Sequence, residues 1–255
     1  MPTFATPEPI AATVEVAGAQ VRVTTSDRTD TVVLVEPVDK TNRSHVKVAD
    51  KTKVEFADGR LSVKTTASGD KNGSVAITID LPAGSGLAAY LAYSSVEVDG
   101  PVGRCKLHMA SGRVRLDRVD ALQASVASGE VAIGHLAGRA DIDGAAFAMR
   151  IGEADGDVTA ETGSGAIRIG RMTGGRAKLT TGSGDIEVGI AEGVATSVDV
   201  GSERGAVHNL VSPQGEPSAS DAKVLVFART RHGDVTVQRA AQEASVTSTS
   251  SAQLV

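Results

Sequence analysis

Tryptophan is absent from this 255-residue chain, and aromatic residues of all kinds make up 2% of it. A core without large rings must be thin and filled by Val, Ile, Leu and Ala. The same shortage removes the stacking platform that a sugar-binding surface uses. There is one cysteine, Cys105, so no internal disulfide can form. No apolar stretch approaches the length of a membrane span. The net charge is −5 with the two signs interspersed. Without a basic stripe the chain lacks the electrostatic footprint of a nucleic-acid-binding protein. The opening stretch, MPTFATPEPIAATVEV, has no charged n-region, no apolar h-region and no cleavage site. A soluble cytoplasmic protein without a membrane or nucleic-acid partner is the expectation.

Glycine is plentiful, with 28 residues, and it recurs in a pattern. AETGSGAIRIG and LTTGSGDIEVG read almost alike, and related segments place Gly112, Gly129, Gly165, Gly184, Gly205 and Gly233 at the same point. Ala145 stands in for the glycine in one copy and Ser94 in an earlier, degenerate one. The steps between these anchors run 18, 17, 16, 20, 19, 21 and 28, a loose period of about 18 with an insertion, SPQGEPSASD, at 212–221.

Apolar or small residues fall seven, five and three before the anchor and two and four after it, as with Cys105, Leu107, Met109, Val114 and Leu116 around Gly112. Spacing of two is the strand period. The step across the anchor is odd, so in one flat strand the two halves would face opposite ways. The chain must therefore bend there, and glycine permits the bend. TGSG reads as a corner between two short strands. Such units bury an inner face only by stacking. The expected fold is all-β: a parallel β-solenoid of about 18-residue coils over 87–239. The Gly205 coil fits less well, with polar Asn209 at an inward offset, and the Ala145 coil puts Gly138 at one.

Residues 1–86 read as strands without that repeat and are expected to form an N-terminal β-cap, since a terminal coil is an open sheet edge. Within it VEFADGRLSV places Asp58-Gly59 at a hairpin turn. The polar segment 37–53 reads as a mobile loop or an edge strand. Residues 240–255, rich in Ser, Thr and Ala, are expected to be a disordered tail, with a short helix from Ala240 as the competing reading.

The chemistry-bearing residues do not gather. A phosphate loop needs Gly-Lys-Ser/Thr leading into a helix, whereas Ala166 and Asp185 follow the GSG segments. Asp157, Asp185 and Asp234 each follow a glycine, as in calcium-binding β-rolls, but those have half this period. The five histidines, 45, 108, 135, 208 and 232, have no metal-ligand spacing. Cys105 sits at an inward offset, a buried apolar thiol. Asp141, Asp143, Glu161 and Asp199 take outward positions, and a glycosidase would need two of them at a set separation. No cofactor is expected.

TPEPIAATVEVAGAQVRVTTSDRTDTVV, VEFADGRLSVKT, ITIDLPAGSGL and the TGSGDIEVG units together resemble a bacterial β-strand-repeat family, in its actinobacterial type. The family is a domain of unknown function often labelled "putative adhesin". The likeness spans residues 3–239 and rests on Leu-Pro-x-Gly at 81–84 followed by Ser-Gly repeats. It implies a β-solenoid-like fold, no established activity and no catalytic residues to transfer.

The functional expectation is a non-catalytic scaffold or protein-interaction module. A polysaccharide-active β-helical enzyme and an exported surface adhesin are the alternatives. Stacked coils bring outward residues into columns about 4.8 Å apart. Lys106, His108, Gln123, Ser125, Lys178 and Thr180 are the candidate interaction face, for a partner that is another protein.

Overall fold

The computed structural model describes residues 2–65, 74–211 and 223–240. The insertion at 212–221 and, apart from Ala240, the expected tail lie outside the described residues. The protein is all-β: strand makes up 76% and helix 4%, in a nearly closed, barrel-like sheet. In chain order, β1 (Thr3–Ala5), β2 (Ala11–Ala17), β3 (Ala19–Ser26) and β4 (Asp30–Pro37) precede a helix, α1 (Arg43–Lys51). Next come β5 (Lys53–Ala57), β6 (Arg60–Lys64), β7 (Val75–Pro82) and β8 (Gly86–Ala92). β9 (Ser94–Ala154) is one unbroken run of extended chain that winds around several corners. β10 (Val158–Ser164), β11 (Ile167–Met172), β12 (Gly175–Ser183), β13 (Ile186–Ile190), β14 (Ala195–Arg204), β15 (Val207–Asn209), β16 (Lys223–His232) and β17 (Val235–Arg239) complete the chain.

The alternating pattern explains the layering. Val158 of β10 lies beside Ala140 of β9 and Ala177 of β12, both in parallel, so adjacent turns are 18 and 19 residues apart there. After the corner, Ile167 of β11 likewise lies between Met149 and Ile186. Each turn thus contributes one strand before its corner and one after. Their apolar residues meet between the two layers, where Leu107, Val114, Val126, Val131, Ile167 and Val188 are all buried. Another buried residue, seven beyond the corner, closes the third side: Val119, Leu136 and Met172 take this place.

The glycines stack at the corners. A β-carbon on Gly112 would lie 1.9 Å from Ser94 O, and one on Gly184 2.3 Å from Gly165 O. Their φ values, 149° and 145°, also disfavour any side chain. The threonine three residues before the corner points inward and ties one turn to the next: Thr181 donates to Gly165 O at 3.1 Å and Thr230 to Gly184 O at 3.0 Å. TGSG is therefore a structural corner. At the degenerate copy the positive φ moves to Tyr93, and the Ser94 hydroxyl accepts from Ala19 N while donating to Ala92 O.

The structure corrects one register. Ser164 pairs with Ala146, so the residue that stacks on Gly165 is Phe147 and not Ala145. The inward Gly144 leaves room for the Phe147 ring. Moving the anchor turns the irregular steps of 16 and 20 around it into 18 and 18.

Stacking order departs from chain order at both ends. β12 and β13 pair with β16 and β17, and β14 and β15 lie outside those. The chain writes the outermost turn first and then slips the Gly233 turn beneath it. This accounts for the weak apolar pattern of the Gly205 turn, which has a neighbour on one side only. At the other end β2 and β3 sit between the turn formed by β6 and β7 and the turn formed by β8 and the start of β9. Strands before residue 86 thus pair directly with strands after it. Antiparallel strands close that end: β4 on β7, β1 on β4, and β5 on β6. Asp58 and Gly59, both at positive φ, form the expected hairpin turn between β5 and β6.

Part of the segment read as a loop or edge strand is α1. The Asn42 side chain caps it by accepting from Ser44 N at 2.9 Å. No residue of the helix is fully buried, and its only apolar residues are Val46, Val48 and Ala49, with the two valines at strand spacing.

Candidate interaction face

The six candidate residues all lie on the layer that precedes the corners, in two adjacent columns. Lys106 sits beside Ala88, and Lys178 between Thr159 and Phe227, in the column six before the corner, where Gln123 also belongs. His108, Ser125 and Thr180 belong to the column four before it. His108 stacks on Tyr90 with ring centroids 5.1 Å apart and planes 10° from parallel. The Ser125 hydroxyl bonds to Asp143 at 3.4 Å. Thr180 stands between Glu161 and Arg229. The structure thus brings His108 and Ser125 near Tyr90, while Asp143 and Glu161 separate them from Thr180.

The second column also holds Tyr90, Asp143, Glu161 and Arg229, which were not among the candidates. Reading position −4 in every turn, with the corrected anchor at 147, finds all of them. Asp143 and Glu161 are direct cross-strand neighbours. Adjacent like charges are unfavourable, and among the described residues neither carboxylate has a basic partner. Arg229 is held by Asp199, at 2.7 Å to its carboxylate and 2.8 Å to its carbonyl.

Next to this column, two before the corner, only small residues occur over six turns: Ala92, Ala110, Ala127, Ala145, Gly163 and Gly182. This low strip makes a shallow trough with two separate depressions, one over Ala92, Ala110 and Ala127 and one over Gly163 and Gly182. One end, about 710 Å³, is bounded by Glu15, Lys64, Tyr90 and His108. The other, about 590 Å³, is bounded by Glu161, Thr180, Glu203 and Arg229. Gly163 and Gly182 are required by space: their β-carbons would meet carbonyls of the neighbouring turn at 2.7 and 2.5 Å.

The carboxylates that follow glycines are occupied by the backbone. Asp157 accepts from Arg176 N, Asp185 from Asp234 N and Asp234 from Ala206 N, at 2.8 to 2.9 Å. Each links two turns, which is a reason for Gly-Asp that has nothing to do with calcium. No three His, Cys, Asp or Glu side chains among the described residues are placed to hold a metal ion. Asp141 is bound by Arg139 at 2.7 Å. Cys105 is buried, and burial pushes its thiol up to about 12. Asp155 receives the Thr173 hydroxyl and contacts His135 Nε2, each at 2.6 Å. The Thr173 bond, with help from His135, holds the Asp155 carboxyl below its usual range. No helix among the described residues is long and apolar enough to cross a membrane.

The model of the family described as Toastrack DUF4097 matches residues 11–250. The chain belongs to that family. Three solved structures similar to this Toastrack chain are named "putative adhesin". The one from Bacteroides fragilis is 14% identical, with a TM-score of 0.49, covering 92% of this chain and 95% of that one. The one from Parabacteroides distasonis is 11% identical, with a TM-score of 0.45 and the same coverages. The one from Parabacteroides merdae is 12% identical, with a TM-score of 0.40, covering 93% and 94%. No curated protein matches the chain.

Proposed function

We propose that this Toastrack domain is a non-catalytic scaffold that holds a protein partner along the layer preceding the corners. In this reading the chain is a β-solenoid of about 18-residue coils over 87–239. Residues 1–86 cap it, and β2 and β3 contribute a turn of their own. The observation that carries the reading is the trough. Its small-residue floor runs across many turns, and its wall is a mixed polar column. A small molecule usually takes a concave, largely apolar pocket. A long open trough with a polar wall fits an extended segment of another protein. The neighbouring carboxylates of Asp143 and Glu161 would be relieved by a basic side chain of that segment. The cytoplasm is the proposed compartment, supported by a single buried free cysteine; cell fractionation tests it.

The binding test is a pull-down from native extract. Two variants are compared with the parent: Lys106, His108 and Lys178 all replaced by Glu, and Asp143→Lys with Glu161→Lys. Both should lose the partner while keeping the parent's melting temperature to within a few degrees. A partner retained unchanged by both variants places its site elsewhere. Polysaccharide cleavage by the purified parent would end the non-catalytic reading.

A further inference from the structure

The two ends of the stack are built differently. At the end formed by the early strands, the outermost strands are short. β1 has three residues and β5 five, and Lys53 heads β5. α1 packs beside β4, with Val48 and Ala49 against the core. Short edge strands, edge charges and a covering helix are the means by which sheets avoid pairing with other chains.

The opposite end is less protected: β15 is short, but β14 is long and no helix among the described residues packs on it. β14 runs for ten residues, ATSVDVGSER, without Lys or Pro. Among the described residues β14 pairs only with β16, and β15 only with β17. Their outer backbone groups therefore face outward. Among the described residues no further turn covers β14 and β15. Val226, Ala228 and Val235 of the turn beneath are fully buried. Their counterparts Val198 and Val200 are only half-buried, Val207 is 43% exposed and Leu210 61% exposed.

We propose that this turn is the interface of a head-to-head homodimer. β14 pairs antiparallel with β14 of a second copy about a two-fold axis normal to the sheet at Val200. β15 and its mate pair in the layer behind. Charge favours this register over the two next to it. Centred on Val200, Asp199 faces Gly201 and Ser197 faces Glu203, while Val200 faces itself on the inner side. Centred one residue earlier, Asp199 faces its own copy. Centred one residue later, it faces Glu203. Like charges directly opposite are destabilising, so of the three only the Val200 register is free of them. The first layer becomes one continuous sheet, and the apolar interior runs through both copies. Because the other end of each copy is closed, association stops at two instead of growing into a filament.

Sedimentation of the full chain tests this. The expected species has twice the 25.9 kDa mass of the chain. Val200→Lys sets two lysines face to face and should give a monomer with the parent's far-UV spectrum. Should that variant fail to fold, Leu210→Lys, at a position already exposed, should weaken the dimer at least tenfold. Val200→Cys should form a covalent dimer on mild oxidation, with Cys105 shielded in the core. A parent that stays monomeric at concentrations up to about 1 mM overturns the proposal. So does a dimer that survives both lysine variants, or a Val200→Cys variant that does not cross-link.

Discussion

The ring of Phe147 fills the space that a side chain at Gly144 would take: a β-carbon on Gly144 would lie 3.1 Å from Phe147 Cδ1 and 1.8 Å from Val126 O. One turn has exchanged its corner glycine for a large apolar residue and its inward residue for glycine. Phe147 is among the largest fully buried side chains in a protein nearly without aromatics. Phe147→Ala should therefore destabilise by about 3–5 kcal/mol, the usual cost of emptying a buried aromatic site. Phe147→Gly restores the usual corner residue yet leaves the same void, and should be no better. Urea titration of the two variants checks this.

Inward and outward positions should respond oppositely to charge. Val131 and Ile186 are buried, whereas Ala132 and Glu187 face outward. Val131→Asp and Ile186→Asp each place an unpaired carboxylate in the core and should cost more than about 4 kcal/mol. Ala132→Asp and Glu187→Lys should stay within about 1 kcal/mol, even though the latter gives up an exposed pairing with Arg168. Similar melting temperatures for all four would contradict the assignment of faces.

This alternation was legible because every turn repeats it, and the inward offsets around Gly112, Gly129, Gly184 and Gly233 are all buried. The order of stacking was not legible. Turns share one pattern, so nothing in β12 specifies β16 as its neighbour in place of β14. The only trace was the polar inward residue Asn209, which marks a turn with one uncovered side. The Ala145 register failed because spacing cannot show that Phe147 supplies the bulk missing at Gly144. The trough escaped because its floor is recognised only when position −2 is compared across all turns. α1 escaped because it is only nine residues long and its two valines, Val46 and Val48, stand two apart and read as a strand.

Asp155 gives the protein an acid-sensitive link. Its pKa is lower in the folded state, first through the Thr173 hydroxyl and then through His135. A depressed carboxylate contributes stability that is fully present above the unfolded pKa and is lost as pH falls through the folded one. Asp155→Asn should thus lower the melting temperature at pH 7 and make little difference at pH 2. The carboxylate is largely exposed, so the effect should be at most about 1 kcal/mol. An equal loss at both pH values would mean that the bond to Thr173 does not depend on the charge.

The central claim is that whole turns stack in a fixed register, because the outward columns and the trough exist only if they do. Gly184 stacks on Gly165, so removing residues 166–184 excises one turn and joins Gly165 to Asp185. The strand after the corner then begins at Ile186, which can take the place of Ile167 beside Met149. Removing only 166–174, an odd number of residues, joins Gly165 to Gly175 and puts Arg176 and Lys178 at the inward offsets two and four after the corner. Thermal melting of the two deletion variants, followed by far-UV circular dichroism, is the measurement. The whole-turn deletion should melt cooperatively with a β spectrum, and the partial deletion should be unfolded or aggregated. If the two are equally damaged, the turns do not stack in this register and the trough is not a feature of the molecule.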